Sequence, residues 1–445
     1  MTNDLSRRAS FKAFLATALP LMTGPAAAAP QSSRCEEESA GFGPFLSLGQ
    51  FRVPPGVRFI ASTGFARDGD QGHARYREVQ PGEPGYGVET RFRRRDAAGR
   101  WFELTETLVN PFMFGAKADY YRADGSENRS ATDDSAAIQE AIDNFPTVFF
   151  PNRGRKTGYL LRAPLYLRPG SHLWGKSTMG STTVTAGATA LISTNGDTIL
   201  NLRQKKAREC TIEGLTLYCP DRSTHGIDVT PLRTTLRDIH ILSCNVGIGG
   251  ISGEYGDHSN IYNVHCCRCN YGAQRLRDTR WYGGRISASK FDGIALPKGA
   301  NDNKFDLKID FNDGWGITAT EVSDLAIFSE AIDRNGKGGI RLRQCRRVSG
   351  VVNLVRNGNR ATADGTEGTH LYIQGSSGVN LAVTTGTGVD DRGKGANSPR
   401  NGLVAGDGNS KVLITGDLGG AVDSPIRALG PNAMSGVQVS PRANP

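Results

Sequence analysis

The sequence lacks the features that would assign it to several simple protein classes. It has no apolar run of the roughly 20 residues that a membrane span needs, and its mean hydropathy is −0.39. Its 56 glycines follow no triplet period, which excludes collagen although they are about 13 % of the chain. Its eight cysteines are unevenly spaced along the chain, and 445 residues exclude the small disulfide-stapled proteins. A turn-rich, soluble β protein remains.

The chain is basic. Its 53 lysines and arginines exceed its 44 acidic residues and give a formal charge of +9. Such a balance favours an anionic partner, which in general is nucleic acid, anionic lipid or an acidic polysaccharide. Charge alone does not choose among the three.

The first thirty residues have the pattern of a targeting segment. Residues 6–12 contain the pair Arg7-Arg8, residues 13–22 are mostly apolar, and 26–29 are alanines. The pattern resembles a bacterial twin-arginine export signal, so we predict a signal peptide over 1–30. This resemblance implies export of a folded protein to the periplasm or the extracellular space, with no membrane segment in the mature chain.

Folding before export has a consequence for the cysteines. A protein that folds in the reducing cytoplasm meets the oxidising compartment with its thiols already packed, so we predict that most cysteines between 210 and 345 are buried and reduced. A metal site built from His265, Cys266, Cys267 and Cys269 is disfavoured, because neighbouring residues on a strand point to opposite faces.

The middle of the chain repeats with a period in the low twenties. Glycines followed by an aliphatic residue recur at steps of 21, 25, 21, 23 and 23 residues, at Gly226, Gly247, Gly272, Gly293, Gly316 and Gly339. This spacing predicts a solenoid, and the segments lack the fixed leucines of leucine-rich repeats. We therefore predict an all-β fold, a single-stranded right-handed parallel β-helix with about three short strands in each coil.

Two further elements are predicted upstream of the repeats. Alternating, turn-punctuated segments predict a small β module over 41–112. Its strand arginines either lie on a solvated face, which is favoured, or form a binding patch for an acidic polymer. Residues 133–144 predict a short helix, with Asp133 as its cap and an apolar face of Ala137, Ile138, Ala141 and Ile142. This capping helix would cover the open end of a β-helix that occupies 113–440.

The segment around the predicted capping helix resembles a known family. Three elements occur in order: Phe114-Gly115-Ala116-Lys117-Ala118-Asp119, then 133–142, then Thr147-Val148-Phe149-Phe150-Pro151. Together they resemble the N-terminal segment of the pectate-lyase-like, rhamnogalacturonase and epimerase-related β-helix proteins, except for an insertion over 120–131. The resemblance implies a β-helix that acts on polysaccharides by hydrolysis, β-elimination or epimerisation. It brings no catalytic set, since the Gly-His-Gly and Asn-Thr-Asp tripeptides of polygalacturonases are absent.

Strand alternation predicts the candidate catalytic residues. If Leu307, Ile309 and Phe311 point inward, then Asp306, Lys308 and Asp310 point outward. The 23-residue period sets Asp333 directly above Asp310, and Arg285 lies one coil earlier. We predict Asp310, Asp333, Lys308 and Arg285 as the catalytic group. Two carboxylates one rung apart either divide their pKa values between acid and base or bind a cation such as Ca²⁺ together.

Five other residues are predicted to contact the substrate in the same groove: Asp306, Glu330, His265, Asp257 and His258. The alternative for each of these outward side chains is simple solvation.

The predicted function is that of an exported depolymerase which cleaves an acidic, uronate-containing polysaccharide, with no nucleic-acid partner. β-Elimination is favoured because removing a proton next to a carboxylate requires cationic neutralisation, which Arg285 and Lys308 would supply. One alternative is a glycoside hydrolase that uses Asp310 and Asp333. The other is a non-catalytic envelope protein that binds glycans or matrix.

Overall fold

The computed structural model describes residues 40–177, 182–229, 233–251, 253–359, 365–388 and 398–440. The predicted signal peptide and Cys35 lie outside these ranges. Within them, no helix is both long and apolar enough to cross a membrane.

The N-terminal module is a five-stranded sheet, whose strands are Ala40–Phe42, Phe59–Ser62, Arg75–Val79, Arg93–Arg95 and Trp101–Leu104. A 3₁₀ helix, Phe45–Gln50, packs on it. Several arginines form ion pairs within the module: Arg93 and Arg77 both bind Glu103, and Arg100 Nε lies 2.7 Å from Glu78 Oε1. These ion pairs occupy the arginine-rich strand face.

The capping helix spans Ser135–Asn144 and follows a 3₁₀ turn at Pro111–Phe114. Its predicted apolar face is confirmed, because Ala137, Ile138, Ala141 and Ile142 are all buried. Asp134 holds the N-cap position, one residue after the predicted cap, but its carboxylate makes no capping bond to the helix and accepts the backbone N–H groups of Lys117 and Ala118 instead. Asp133 lies one position earlier, where its Oδ1 accepts the backbone N–H of Ser135.

The rest of the described chain is a parallel β-helix, as predicted. Each coil contributes strands to three faces, here called A, B and C. In the first coils, face A has the strands Thr147–Phe149, His172–Trp174, Thr211–Glu213 and Thr235–Arg237. Face B has Thr157–Leu161, Thr189–Ser193, Thr216–Tyr218 and His240–Leu242.

Later strands run around the corner and serve both A and B, so the two faces form one 16-stranded sheet. The strands from 260 onward are Asn260–Cys267, Arg280–Ser287, Asn303–Asp310, Ser323–Asp333, Arg346–Val355, Ser377–Gly386, Ser410–Gly416 and Val437–Ser440.

Face C is an 11-stranded parallel sheet. Its strands are Leu165–Tyr166, Thr198–Asn201, His225–Asp228, Val246–Gly249, Tyr271–Gln274, Ile294–Leu296, Trp315–Thr320, Gly338–Arg343, Thr369–Gln374, Asn401–Gly406 and Ser424–Leu429. A separate pair, Gly256–Asp257 and Leu276–Arg277, lies in the turns that lead from face C to face A.

The glycines of the repeat stack from coil to coil on face C. The aliphatic residues that follow the glycines pair from coil to coil, for example Ile294 with Ile317 and Ile317 with Ile340. A Cβ atom added to Gly226 would lie 2.4 Å from the carbonyl oxygen of Gly247, and one on Gly316 would lie 2.7 Å from that of Gly339. Only glycine permits this approach between coils, which explains why the repeat carries it.

Single left-handed residues form the corner between faces B and C. Arg268, Phe311, Arg334 and Arg356 occupy equivalent corner positions with φ of 59°, 58°, 54° and 50°. The prediction that Phe311 points inward is therefore wrong. A left-handed residue interrupts the alternation of the strand, and the side chain of Phe311 is half-buried at the corner, outside the core cluster.

The insertion at 120–131 packs on the outside of face B. Tyr120, Tyr121 and Ala131 are buried there in one hydrophobic cluster that also includes Leu242 and Cys267. These two residues belong to the same outward column as Asp310 and Asp333, because Leu242 pairs with Cys267, Cys267 with Ser287 and Ser287 with Asp310. The insertion therefore covers the N-terminal end of the column that carries the candidate site.

Candidate functional site

The four predicted catalytic residues meet on face B. Ile309 pairs with Ile332 and Asp310 with Asp333, while Arg285 pairs with Lys308 one position earlier on the neighbouring strands. The predicted register of the carboxylate pair is therefore observed. The side chains form one cluster on three consecutive coils.

The carboxylates of this cluster are buried beneath basic groups. Asp310 is fully buried, with Arg285 Nε 2.8 Å from its Oδ1 and Arg285 Nη2 2.7 Å from its Oδ2. Lys308 Nζ lies 3.5 Å from Asp310 Oδ2. These contacts neutralise the carboxylate, so the cluster presents cations rather than Asp310 to solvent.

Asp333 is held in the same way by two arginines. Arg356 binds it through Nε at 3.1 Å and Nη2 at 2.8 Å, and Arg334 binds its Oδ2 as well. Burial raises the pKa of Asp333; Arg356 and Arg334 oppose the rise and Asp310 adds to it. The ring of Phe311 lies between two of the guanidinium groups, 5.9 Å from that of Arg285 and 4.9 Å from that of Arg334.

Four cations therefore surround two carboxylates, and the cluster carries a net charge of about +2 at neutral pH. The described residues contain no group of three or more His, Cys, Asp or Glu side chains that could hold a metal ion. Arg285 on Asp310, and Arg334 and Arg356 on Asp333, offset the repulsion between the two carboxylates. The side chains of Arg285 and Lys308 remain 34 % and 38 % exposed and are open to an anionic ligand.

His265 extends this cluster by one coil. His265 pairs with Arg285, and Arg285 pairs with Lys308. An imidazole, a guanidinium and an ammonium group therefore form one column of outward-facing side chains on three adjacent strands. Such strands are about 4.8 Å apart. Burial and the charge of Arg285 lower the pKa of His265, against an opposing effect of Asp310. His265 is therefore neutral at pH 7 and able to accept a proton.

Asp306 and Glu330 are exposed, and neither belongs to the buried network. Asp306 lies on face A, in an outward column between Tyr282 and Phe328. Lys304 lies over both of these rings, with its Nζ 5.1 Å from the centre of Tyr282 and 5.2 Å from that of Phe328. Glu330 lies at the shift in strand register between Ser329 and Ile332, at the corner of faces A and B.

Asp257 and His258 lie outside the candidate site, so the prediction that they line its groove is wrong. They lie in the turn that leads into face A. Arg277 binds Asp257 through Nε at 2.5 Å and Nη2 at 2.6 Å, and His258 Nδ1 lies 3.7 Å from Asp278 Oδ2. The reason is the order of faces in a coil, since this turn precedes face A and the cluster follows it.

Sequence reasoning missed Arg334 and Arg356. Both occupy left-handed corner positions, where strand alternation gives no direction for a side chain. The sequence does contain a signal for both arginines. Phe311, Arg334 and Arg356 are each about one coil apart, and Arg334 directly follows Asp333.

No family model matches the chain. Its structure is similar to the enzymatically active domain of tailspike protein 2 from bacteriophage CBA120, with a TM-score of 0.66 and 14 % identity over 88 % of this chain and 61 % of that one. Full-length tailspike protein 2 of the Escherichia coli O157:H7 phage has a TM-score of 0.64 and 14 % identity, over 85 % of this chain and 54 % of that one. The tailspike of Acinetobacter phage vb_AbaP_AS12 has a TM-score of 0.52 and 11 % identity, over 92 % of this chain and 75 % of that one. The chain thus spans about three-fifths of the first domain, and these similarities establish the fold alone.

Proposed function

We propose that the chain is an enzyme which cleaves an acidic polysaccharide by β-elimination on face B. The observation that carries this proposal is the column His265–Arg285–Lys308, which joins a neutral imidazole to two partly exposed cations on adjacent strands. That is the set of groups which elimination beside a uronate carboxylate requires.

In the proposed reaction, Arg285 and Lys308 bind the carboxylate of a uronic-acid residue and neutralise it. His265 then takes the proton from the carbon next to that carboxylate. The electron pair of this C–H bond forms a C=C bond, and the C–O bond to the neighbouring sugar breaks. The departing oxygen takes up a proton from water, the imidazolium of His265 returns its proton to the solvent, and the products are an unsaturated sugar and a new free chain end.

The fold agrees with this proposal. The first tailspike domain with a similar structure is described as enzymatically active, and the basic charge of this chain suits an acidic polymer. The predicted export signal would deliver such an enzyme to the periplasm or the extracellular space, where polysaccharides of this kind occur.

A glycoside hydrolase is the second candidate, because the pKa of Asp333 is raised as a general acid requires. The pairing of Asp310 with Arg285 weighs against it. A fully buried carboxylate whose two oxygens both accept hydrogen bonds from one guanidinium is poorly placed to attack a sugar or activate water.

A panel of acidic glycans tests the proposal, with ultraviolet absorbance of the unsaturated product and reducing ends followed separately. We expect both signals to rise together and both to be lost in Arg285→Gln. Arg347→Gln is the matched control, since Arg347 binds Asp324 across neighbouring coils in the same two-bond geometry but on an exposed surface. Reducing ends without absorbance would indicate a hydrolase, and neither signal would leave glycan binding as the function.

A further inference from the structure

A second cationic pocket lies far along the chain from the candidate site, where the N-terminal module meets the start of the β-helix. Its volume is about 350 Å³, within the range of small-molecule sites and large enough for one or two sugar rings. Its charged and amide side chains come from three segments of the chain: Arg67, Asp70, Gln71, Lys117, Asp119 and Arg153. We call it the Arg153 pocket.

The two carboxylates of this pocket accept hydrogen bonds from neighbouring loop residues of the protein. Asp70 accepts the N–H groups of Phe65, Ala66, Arg67 and Gly72 at 2.8 to 3.1 Å. Burial raises the pKa of Asp70, but these four hydrogen bonds outweigh burial and lower it. Asp119 accepts both the N–H and the hydroxyl of Thr132, each at 2.9 Å. Both carboxylates therefore serve to fix loops.

The three cations of the pocket have no such partners. Arg67, Lys117 and Arg153 line the pocket, and within the described residues no salt bridge joins any of them to a carboxylate. Arg153 is half-buried, lies 4.5 Å from the centre of the Phe112 ring, and donates from Nε to Gln71 Oε1 at 3.3 Å. Its guanidinium is thus oriented by an aromatic ring and an amide, and it forms no direct ion pair with the two carboxylates that line the pocket.

We propose that the Arg153 pocket binds the anionic group of an acidic sugar, a carboxylate or a sulfate, with Arg153 and Lys117 as its principal contacts. A guanidinium held in a fixed orientation pairs with a planar carboxylate through two hydrogen bonds, and Lys117 and Arg67 add point charges at the rim. The pocket is separate from the cluster on face B and needs no catalysis, so it stands whether or not the chain cleaves glycans.

Calorimetric titration with D-glucuronate, with D-glucose as the neutral probe, tests this site. We expect glucuronate to bind and glucose not to bind. Arg153→Gln and Lys117→Gln should each weaken glucuronate binding about tenfold or more, because each removes a charged hydrogen bond. Arg95→Gln is the control, as Arg95 is an exposed arginine of the same module outside the pocket.

Glucuronate could also bind the cluster on face B, so the titration is repeated with Arg285→Gln. Binding that survives Arg285→Gln and is lost in Arg153→Gln supports the pocket. Binding that follows Arg285 alone, equal binding of glucose, or an unchanged affinity in both pocket variants would overturn it. Since Arg153 packs on Phe112, melting temperatures identify a misfolded variant, and the exposed Lys117→Gln keeps the test decisive in that case.

Discussion

Arg285 and Asp310 form a two-bond ion pair between adjacent coils, in which the carboxylate is fully buried and the guanidinium is about one-third exposed. The carboxylate of Asp310 is therefore shielded from solvent, and the guanidinium of Arg285 is the group that a ligand can contact. This arrangement fixes the direction of Arg285 and makes Asp310 a positioning residue for it.

Asp310→Asn should therefore abolish cleavage by loosening Arg285. We expect product formation to fall about 100-fold or more and the free energy of unfolding to fall by about 1–3 kcal/mol, since one charged partner is lost. Asp333→Asn should act in the same direction through Arg356. Initial rates and urea unfolding measure both effects.

The control for these variants is Asp324→Asn, which removes an exposed pair of the same geometry with Arg347. It should leave the cleavage rate unchanged. Wild-type rates in both Asp310→Asn and Asp333→Asn would show that the cluster on face B is not the catalytic site.

His265 should be the proton acceptor, so His265→Gln should lose cleavage by about 100-fold or more. His258→Gln is the control, because His258 is exposed in the turn before face A. The rate of the wild type should fall on the acid side with a midpoint below 6.5, since burial and Arg285 lower the pKa of His265. Equal losses in the two variants would contradict this assignment.

The imidazole signal of His265 gives a readout that stability alone would not move. Followed by NMR as a function of pH, its pKa should rise in Arg285→Gln, which removes a neighbouring positive charge. It should fall further in Asp310→Asn, which removes the opposing negative charge. No change in either variant would mean that the column does not act as one electrostatic unit.

The periodicity of the sequence is sufficient to predict the coils and the strand register of the four candidate residues Arg285, Lys308, Asp310 and Asp333. Ile309 and Ile332 repeat once per coil in the core, so the alignment of Asp310 with Asp333 follows from them. The corners could not be predicted, because a left-handed residue such as Phe311 reverses the alternation locally. The ion pairs of Asp310 could not be predicted either. Its burial depends on the conformations of long side chains from neighbouring coils, which the periodicity does not specify.

Asp134 should make stability depend on pH. Burial raises its pKa to about 7, although the N–H groups of Lys117 and Ala118 oppose the rise. The folded protein then binds a proton more tightly than the unfolded chain does, so the contribution of Asp134 to stability falls as the pH rises from about 4 to 7. The free energy of unfolding of the wild type relative to Asp134→Asn should fall over that window.

This difference is measured by urea unfolding of the two proteins at a series of pH values. The comparison cancels the other carboxylates, which titrate in both. A difference that rises with pH would mean that the carboxylate is stabilised as an anion by its two backbone donors.

The thiols from Cys210 to Cys345 should be reduced and unreactive in the folded protein. All seven cysteines in this span are buried and free, as the sequence predicted. Burial raises the pKa of the Cys267 thiol to about 11, which disfavours the reactive thiolate. A chromogenic disulfide reagent should label them only after denaturation, and mass spectrometry that found three or more disulfides would contradict the prediction.

The glycine column on face C has a consequence for how this molecule can change in length. Each glycine lies close to a carbonyl group of the next coil, so every coil must place its glycine at the same position in the coil. Whole coils of 21 to 25 residues can be gained or lost without disturbing their neighbours, whereas a change of one or two residues has to be absorbed in a turn. The reach of the outward columns along a polymer is therefore set in whole-coil increments.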